Sequence, residues 1–110
     1  MAEIYNPPQI QIKTGEYTGN GGASQTIAGV GYSPKIVVIY PQASNSSFVV
    51  KTDQETGDKA HVLRATVLKH EDDHIKSLDS DGFTVGDGTG GEGNLLNSNT
   101  QVYTYIAVSF

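Results

Sequence analysis

The sequence predicts an all-β fold, an antiparallel β-sandwich or jelly roll of about eight strands. Short runs rich in β-branched and aromatic residues recur along the chain, and such side chains are typical of pleated strands. Turn-forming clusters separate these runs, and the 110 residues include 13 glycines. No stretch shows a clear helical repeat of apolar residues, so short strands joined by turns describe the chain best.

The central strand is expected between Pro34 and Pro41, around the unbroken apolar run of residues 36–39. A short run that is apolar at every step predicts a strand buried on both faces of its sheet. Proline cannot donate to a strand ladder, so the two prolines mark where pairing begins and ends. Its expected partner is the alternating segment of residues 102–110.

Three further strands are expected in the first half of the chain. Residues 9–17 alternate between apolar and polar side chains, which predicts a half-buried strand. A glycine-rich turn at residues 18–22 leads into a short return strand at residues 24–28. Another strand is expected at residues 48–52, after a polar loop.

Residues 60–69 match two patterns. One face of a helix is approximated by Ala60, Leu63, Val67 and Leu68, whereas an alternating strand is matched by Leu63, Ala65 and Val67. We favour a strand because the surrounding segments are all β, and the helix stays open as the alternative.

The last third of the chain predicts a hairpin and a long loop before the closing strand. Residues 75–78 and 83–85 flank the turn of residues 79–82, and the Asp81-Gly82 pair is a strong hairpin signal. Residues 86–99 are rich in glycine and asparagine, which is typical of a loop.

We expect one domain over residues 9–110, preceded by an N-terminal arm of residues 1–8. Pro7 and Pro8 favour an extended arm and block a helix there. The first five residues lack the basic and apolar regions of a signal peptide. No apolar run reaches the about twenty residues that cross a bilayer. These features predict a soluble protein made in the cytosol, with no membrane partner.

The charge and the cysteine content exclude several classes of function. The formal net charge is −5, and no basic stripe is present, which argues against DNA and RNA as primary partners. Cysteine is absent, so disulfides, thiolate nucleophiles and cysteine-bound metals are excluded.

The most prominent polar cluster spans residues 70–74. On an extended chain His70, Asp72 and His74 project from the same face, where two imidazoles and a carboxylate would suit zinc or iron. The same residues also describe a solvated loop between strands, which is the more common arrangement. We therefore predict no metal and no cofactor, and keep these three residues as the candidate ligands.

Other chemical motifs are incomplete. Residues 86–91 match the spacing G-x-G-x-x-G, but no helix N-terminus is expected next, and Asp87 would repel a phosphate. Residues 77–82 resemble the first half of a calcium loop, yet Gly88 stands where the bidentate acid is required. No serine or histidine lies in a recognisable catalytic arrangement, so we expect a protein without enzymatic activity.

Several blocks carry a resemblance to a known family. Residues 31–38 read Gly-Tyr-Ser-Pro-Lys followed by an apolar strand, and residues 81–86 read Asp-Gly-Phe-Thr-Val-Gly. The closing strand contains Tyr-Thr-Tyr-Ile-Ala at residues 103–107, and residues 17–27 supply a further block. This pattern resembles a small β-sandwich domain that recurs in tail and other virion proteins of tailed bacteriophages and prophages. Residues 42–69 show no match to it.

The resemblance implies a virion structural protein, such as a capsid decoration protein, a head fibre or a tail-tip component. It implies a homo-oligomer, expected to be a trimer, that contacts other capsid or tail proteins on the particle. The arm of residues 1–8 is then expected to lie on a neighbouring subunit or on the particle surface. Interface residues expected on this basis are Tyr5, Pro7, Pro8, Tyr32, Tyr103 and Tyr105.

The alternative is a module that binds carbohydrate or another ligand on the host surface. Tyrosine rings stack on the apolar faces of sugars, and the amides of asparagine-rich loops bind hydroxyls. Under this alternative the chain is a receptor-binding tail domain, and binding to a glycan array would distinguish it from a purely structural component.

Overall fold

The structure is a computed structural model that describes residues 9–42, 47–55, 57–64, 67–89 and 94–110. These residues form nine strands. The strands are β1 (Gln11–Thr18), β2 (Ser24–Ile27), β3 (Ile36–Pro41), β4 (Ser47–Thr52), β5 (Lys59–Arg64), β6 (Val67–Asp72), β7 (Ile75–Asp79), β8 (Gly82–Gly86) and β9 (Val102–Ser109). The described part of the chain contains no helix long and apolar enough to cross a bilayer.

The strands form two antiparallel sheets, which confirms the predicted all-β sandwich. The larger sheet has six strands in the order β1-β9-β3-β4-β5-β6, and the smaller has three in the order β2-β8-β7. The predicted pairing of the central and closing strands is correct, with Val37 opposite Ala107 and Ile39 opposite Tyr105. Long-range pairing of this kind places the last strand inside the larger sheet, between β1 and β3.

The core lies between the two sheets. Alternate residues of the larger sheet point inward, including Val37 and Ile39 of β3, which are fully buried. They pack with side chains of the smaller sheet such as Phe83 and Val85. The other face of the larger sheet, which we call the outer face, stays partly exposed: Ile36 and Val38 are only half-buried. The prediction that β3 is buried on both faces is therefore wrong for the single chain.

One strand prediction in the first half is corrected. Residues 24–27 do not return along β1, because β2 pairs with β8 in the smaller sheet. The turn after β1 is tied instead to residues 97–101, through hydrogen bonds from Gly19 N to Gln101 O (2.8 Å) and from Gly21 N to Asn97 O (2.9 Å). These bonds carry the chain away from β1 and across to the second sheet.

The segment at residues 60–69 is β, as favoured, but it is two strands and not one. β5 and β6 pair antiparallel, from Lys59 opposite Asp72 to Arg64 opposite Val67. This division explains why the structure has nine strands where the sequence predicts about eight, and β6 forms the edge strand of the larger sheet. The second hairpin, β7–β8, is confirmed, with Asp79 opposite Gly82.

The loop before β9 contributes to the core, which its composition does not suggest. Leu96 and Asn97 are both fully buried. The Tyr17 hydroxyl donates to the Leu96 carbonyl at 2.8 Å, and the Tyr103 hydroxyl accepts from the Ser98 N–H at 3.0 Å. Two tyrosines thus hold the loop against the end of the sandwich.

The proposed N-terminal arm of residues 1–8, with Tyr5, Pro7 and Pro8, lies outside the described residues.

Candidate metal centre and outer sheet face

Two histidines face each other on the outer side of the β5–β6 pair. The antiparallel register places His61 directly opposite His70. Their rings stack with centroids 4.6 Å apart and an interplanar angle of 23°. Both side chains remain a little under half exposed, at 44% and 45%, so the pair is open to solvent.

Glu55 joins the two histidines from the connection between β4 and β5. One carboxylate oxygen lies 2.8 Å from His61 Nδ1, and the other lies 2.8 Å from His70 Nε2. The Glu55 side chain is only 14% exposed. One ligand atom from each of the three residues lies within 4.8 Å of the others. A carboxylate and two imidazole nitrogens therefore converge on one point.

The buried lysine of β4 fixes the connection that carries Glu55. Lys51 is 3% exposed, and its Nζ donates to the carbonyls of Gly57 (3.0 Å) and Lys59 (2.6 Å). Burial lowers the pKa of Lys51, although the nearby carboxylates of Glu55 and Asp58 act in the opposite direction. The side chain thus stabilises the loop on the side that leads into β5.

The charge state of Glu55 follows from its two partners. Burial by itself would raise the pKa of this carboxyl. The hydrogen bonds from His70 and His61 together outweigh that effect and hold the pKa below its ordinary value. Glu55 is therefore ionised at neutral pH and presents an anionic oxygen to each ring.

The three candidate ligands from the sequence do not form one cluster. His70 contacts Glu55 and His61, whereas Asp72 forms an ion pair with Lys59 at 3.1 Å. The chain bends at Asp73, whose φ is 71°, and so breaks the extended geometry on which the shared face depended. His74 turns into the core, fully buried, with its Nε2 3.0 Å from Glu71.

The sequence pattern did not indicate His61 and Glu55 as members of the cluster. The register of the β5–β6 pair would have identified His61, because it places His61 opposite His70. Treating residues 60–69 as one strand hides that register. Glu55 has no such signal, because it reaches the histidines from a loop.

The outer face of the larger sheet carries cross-strand apolar rows. Phe48, Leu63 and Leu68 lie opposite one another on β4, β5 and β6, with exposed fractions of 41%, 43% and 64%. Val38 lies opposite both Val50 and Ile106 in the neighbouring row. That row continues through Val50 to His61 and His70, so the candidate metal centre lies at the β6 edge of the same face.

The interface interpretation is corrected for two tyrosines. Tyr103 is fully buried and Tyr105 is 4% exposed, both inside the chain's own core, so neither can also line a subunit contact or stack on a sugar in this fold. Tyr32 is half-buried, and its hydroxyl donates to the Ala107 carbonyl at 2.6 Å.

A small cavity of about 240 Å³ opens beside Glu55. Its lining includes Lys51, Thr52, Asp53, Ser77 and Leu78 as well as Glu55. Glu55 therefore stands between this cavity and the two histidines.

Comparison with known proteins places the chain in one family. No curated protein matches it, and no solved structure does either. Residues 8–109 match a family model described as a domain of unknown function, DUF7483, which spans all nine strands. The chain therefore belongs to the DUF7483 family.

Proposed function

We propose that the chain is a structural component of a bacteriophage virion that self-associates through the outer face of its larger sheet. The observation that carries the proposal is the uncovered apolar face formed by β9, β3, β4, β5 and β6. The smaller sheet packs on the opposite side, so nothing in the described chain covers this face.

The composition of β3 supports a partner on the outer face. Its residues 36–39 are apolar at every step, a pattern typical of strands covered on both sides. The chain's own fold buries Val37 and Ile39 but leaves Ile36 and Val38 half-exposed. A second protein surface against this face supplies the missing burial.

The charge distribution favours a second copy of the chain as that partner. Two chains of net charge −5 repel each other unless they meet through an uncharged surface. The outward residues of the three central strands are all uncharged, from Thr104 and Val108 on β9 to Phe48 and Val50 on β4. Towards the β6 edge, Lys59 and Asp72 neutralise each other, and the Glu55 carboxylate is held between its two histidine partners.

The size of the face can be compared with that of known interfaces. Four spacings of about 4.8 Å between the five strands, and strands about 20 Å long, give a face of roughly 19 by 20 Å in plan. Its projecting side chains raise the accessible area above that flat value, towards the about 800 Å² that each partner buries in a standard complex.

The virion assignment rests on the sequence resemblance. Residues 31–38, 81–86 and 103–107 resemble a domain of phage tail and virion proteins, and the sandwich is the fold that this resemblance implies. Virion surface parts repeat with closed symmetry, and around a three-fold axis the outer face of each subunit meets its two neighbours through two different parts of its surface. The resemblance implies a trimer.

Self-association is tested by light scattering on the purified chain and two matched variants. Leu68→Glu places a charge on the outer face, whereas Val67→Glu places one on the opposite side of the same strand, at a residue that is also exposed (49%). We expect a trimer's mass for the unchanged chain and for Val67→Glu, and a monomer's mass for Leu68→Glu. The trimer should persist at high salt, because apolar contacts are not screened. A wild-type chain that stays monomeric at high concentration contradicts the proposal.

The virion role is tested separately. Particles purified from cells that encode the chain should contain it at a fixed copy number, and a reconstruction should locate it on the capsid or the tail. If the chain self-associates but is absent from the particles, the outer-face contact is supported and the virion assignment is wrong.

A further inference from the structure

We propose that Glu55, His61 and His70 form a binding site for a divalent transition metal ion of the zinc class. The proposal does not depend on the virion role or on self-association. It uses a carboxylate and two imidazoles that three separate segments of the chain bring together.

The donor set selects the class of metal. Imidazole nitrogen and carboxylate oxygen are ordinary ligands of Zn²⁺, with bonds of about 2.0–2.2 Å. Calcium and magnesium prefer sites made of oxygen alone, which two imidazoles do not provide. Two histidines and one glutamate occupy three positions of a tetrahedral ion and leave the fourth for water or another donor.

The geometry is already close to that of a ligand set. His61 Nδ1 and His70 Nε2 are each 2.8 Å from a different oxygen of the same carboxylate. Donors around a tetrahedral zinc are about 3.3 Å apart. The three donor atoms of Glu55, His61 and His70 lie within 4.8 Å of one another. The longest distance between two of them therefore has to shorten by up to rather more than an ångström when zinc binds. We assign that change to rotation of the two rings, which are nearly half exposed.

The backbone fixes the positions from which these side chains reach. His61 and His70 lie opposite each other in a strand pair whose register runs over six residues of each strand. Lys51 ties down the loop side from which Glu55 projects, through the carbonyls of Gly57 and Lys59. The backbone positions of the site are thus set before any ion arrives, which reduces the entropy lost on binding.

Binding exchanges protons for the ion at the two ring nitrogens. In the ion-free arrangement each nitrogen that faces Glu55 donates a hydrogen bond to an ionised carboxylate. A neutral ring that binds a metal through this nitrogen carries its single proton on the other one, so the proton moves to Nε2 of His61 and to Nδ1 of His70. Both rings are nearly half exposed to solvent.

The test is a calorimetric titration of the full chain, stripped with a chelator, with ZnCl₂. We expect one ion per chain. The affinity for zinc should fall by about tenfold to a hundredfold or more in each of the variants His61→Gln, His70→Gln and Glu55→Gln. Asp53→Asn is the matched control, because it removes an exposed carboxylate two residues from Glu55 and should leave the affinity within about twofold. MgCl₂ should give no binding.

Proton NMR of the histidine rings supplies a second readout with an internal control. Zinc should shift the ring signals of His61 and His70 and leave those of His74, which is fully buried elsewhere in the fold, unchanged. Circular dichroism of each variant confirms that the fold is retained. The proposal is overturned if zinc does not bind, if His61→Gln and His70→Gln bind as tightly as the wild type, or if only His74 responds.

Discussion

Asp81 and Gly31 are 50 residues apart in the sequence, yet the Asp81 carboxylate accepts a hydrogen bond from the Gly31 N–H at 2.7 Å. Its other oxygen accepts from the Gly29 N–H at 2.9 Å, and the Asp81 carbonyl accepts from the Val30 N–H at 3.0 Å. Gly29 and Gly31 both have positive φ, at 85° and 98°, a conformation that favours glycine. The β7–β8 turn therefore holds the link between β2 and β3 in place.

The first prediction concerns this link. Asp81→Asn keeps the size of the side chain but leaves one of the two oxygens unable to accept, so it should destabilise the fold at neutral pH. The measurement is the urea midpoint of unfolding. Asp53→Asn, an exposed carboxylate in another turn, is the control and should leave the midpoint nearly unchanged.

The stabilisation by Asp81 should also depend on pH, and the direction of that dependence follows from the pKa of its carboxyl group. The hydrogen bonds from Gly31 and then Gly29 hold the pKa of Asp81 below its ordinary value. This stabilisation is complete above the unfolded-state pKa, near 3.9, and is lost as the pH falls through the lower folded-state pKa. The gap in midpoint between wild type and Asp81→Asn should therefore narrow below about pH 4. A gap that stays constant in acid would show that the charge on Asp81 is not what stabilises the link.

The second prediction concerns Gly82. Its φ is not positive, but a Cβ there would lie 1.9 Å from the carbonyl oxygen of Ile27 on the neighbouring strand. Gly82→Ala must push β2 away from β8, and overpacking of this kind typically costs about 1–3 kcal/mol or more. Gly22→Ala is the control, since its nearest neighbour is the Asn20 side chain at 3.1 Å. Equal unfolding free energies for the two variants would contradict the close approach.

The third prediction separates the two faces of β3. Ile39 is fully buried in the core, so Ile39→Ala should lower the unfolding free energy by about 2–5 kcal/mol. Ile36 lies half-buried on the outer face, and Ile36→Ala should cost the isolated chain clearly less. If the outer face mediates self-association, Ile36→Ala should instead weaken the oligomer. Chemical unfolding and light scattering of both variants give the comparison.

The fourth prediction concerns Asn97, a fully buried amide. Its Nδ2 donates to Asn20 Oδ1 (2.8 Å) and to the Gly22 carbonyl (2.9 Å), and its Oδ1 accepts from the Asn20 N–H (3.0 Å). Asn97→Leu has a similar volume but removes the partners of the Asn20 N–H and of the Gly22 carbonyl, at a cost of about 1–3 kcal/mol for each group left unpaired away from water. Asn99→Ala, two residues away and exposed, should stay within about 0.5 kcal/mol. A stable Asn97→Leu variant would show that water replaces these bonds.

The sequence by itself determined the fold class and several of its elements. Alternation predicted β1 and β9, and the apolar run between two prolines predicted β3 and its pairing with β9. These elements depend on local properties, namely side-chain period and the missing N–H of proline, which a sequence displays directly.

Other features depended on contacts between residues far apart in the chain. The pattern suggested that β2 returns along β1, but hydrogen bonds to residues 97–101 direct it into the second sheet. Composition suggested that residues 86–99 are a plain loop, but Tyr17 and Tyr103 hold Leu96 and Asn97 inside the core. Local pattern carries no information about such partners.

The candidate metal centre was likewise only partly predictable from the sequence. The sequence identified His70 as a possible ligand, but it paired His70 with Asp72 and His74, which are near it along the chain. The register of β5 and β6 brings His61 to His70, and the β4–β5 connection brings Glu55 to both. A metal site is made of atoms that converge in space. Only the tertiary structure decides which residues those are, because strand register and loop path depend on the packing of the whole sheet.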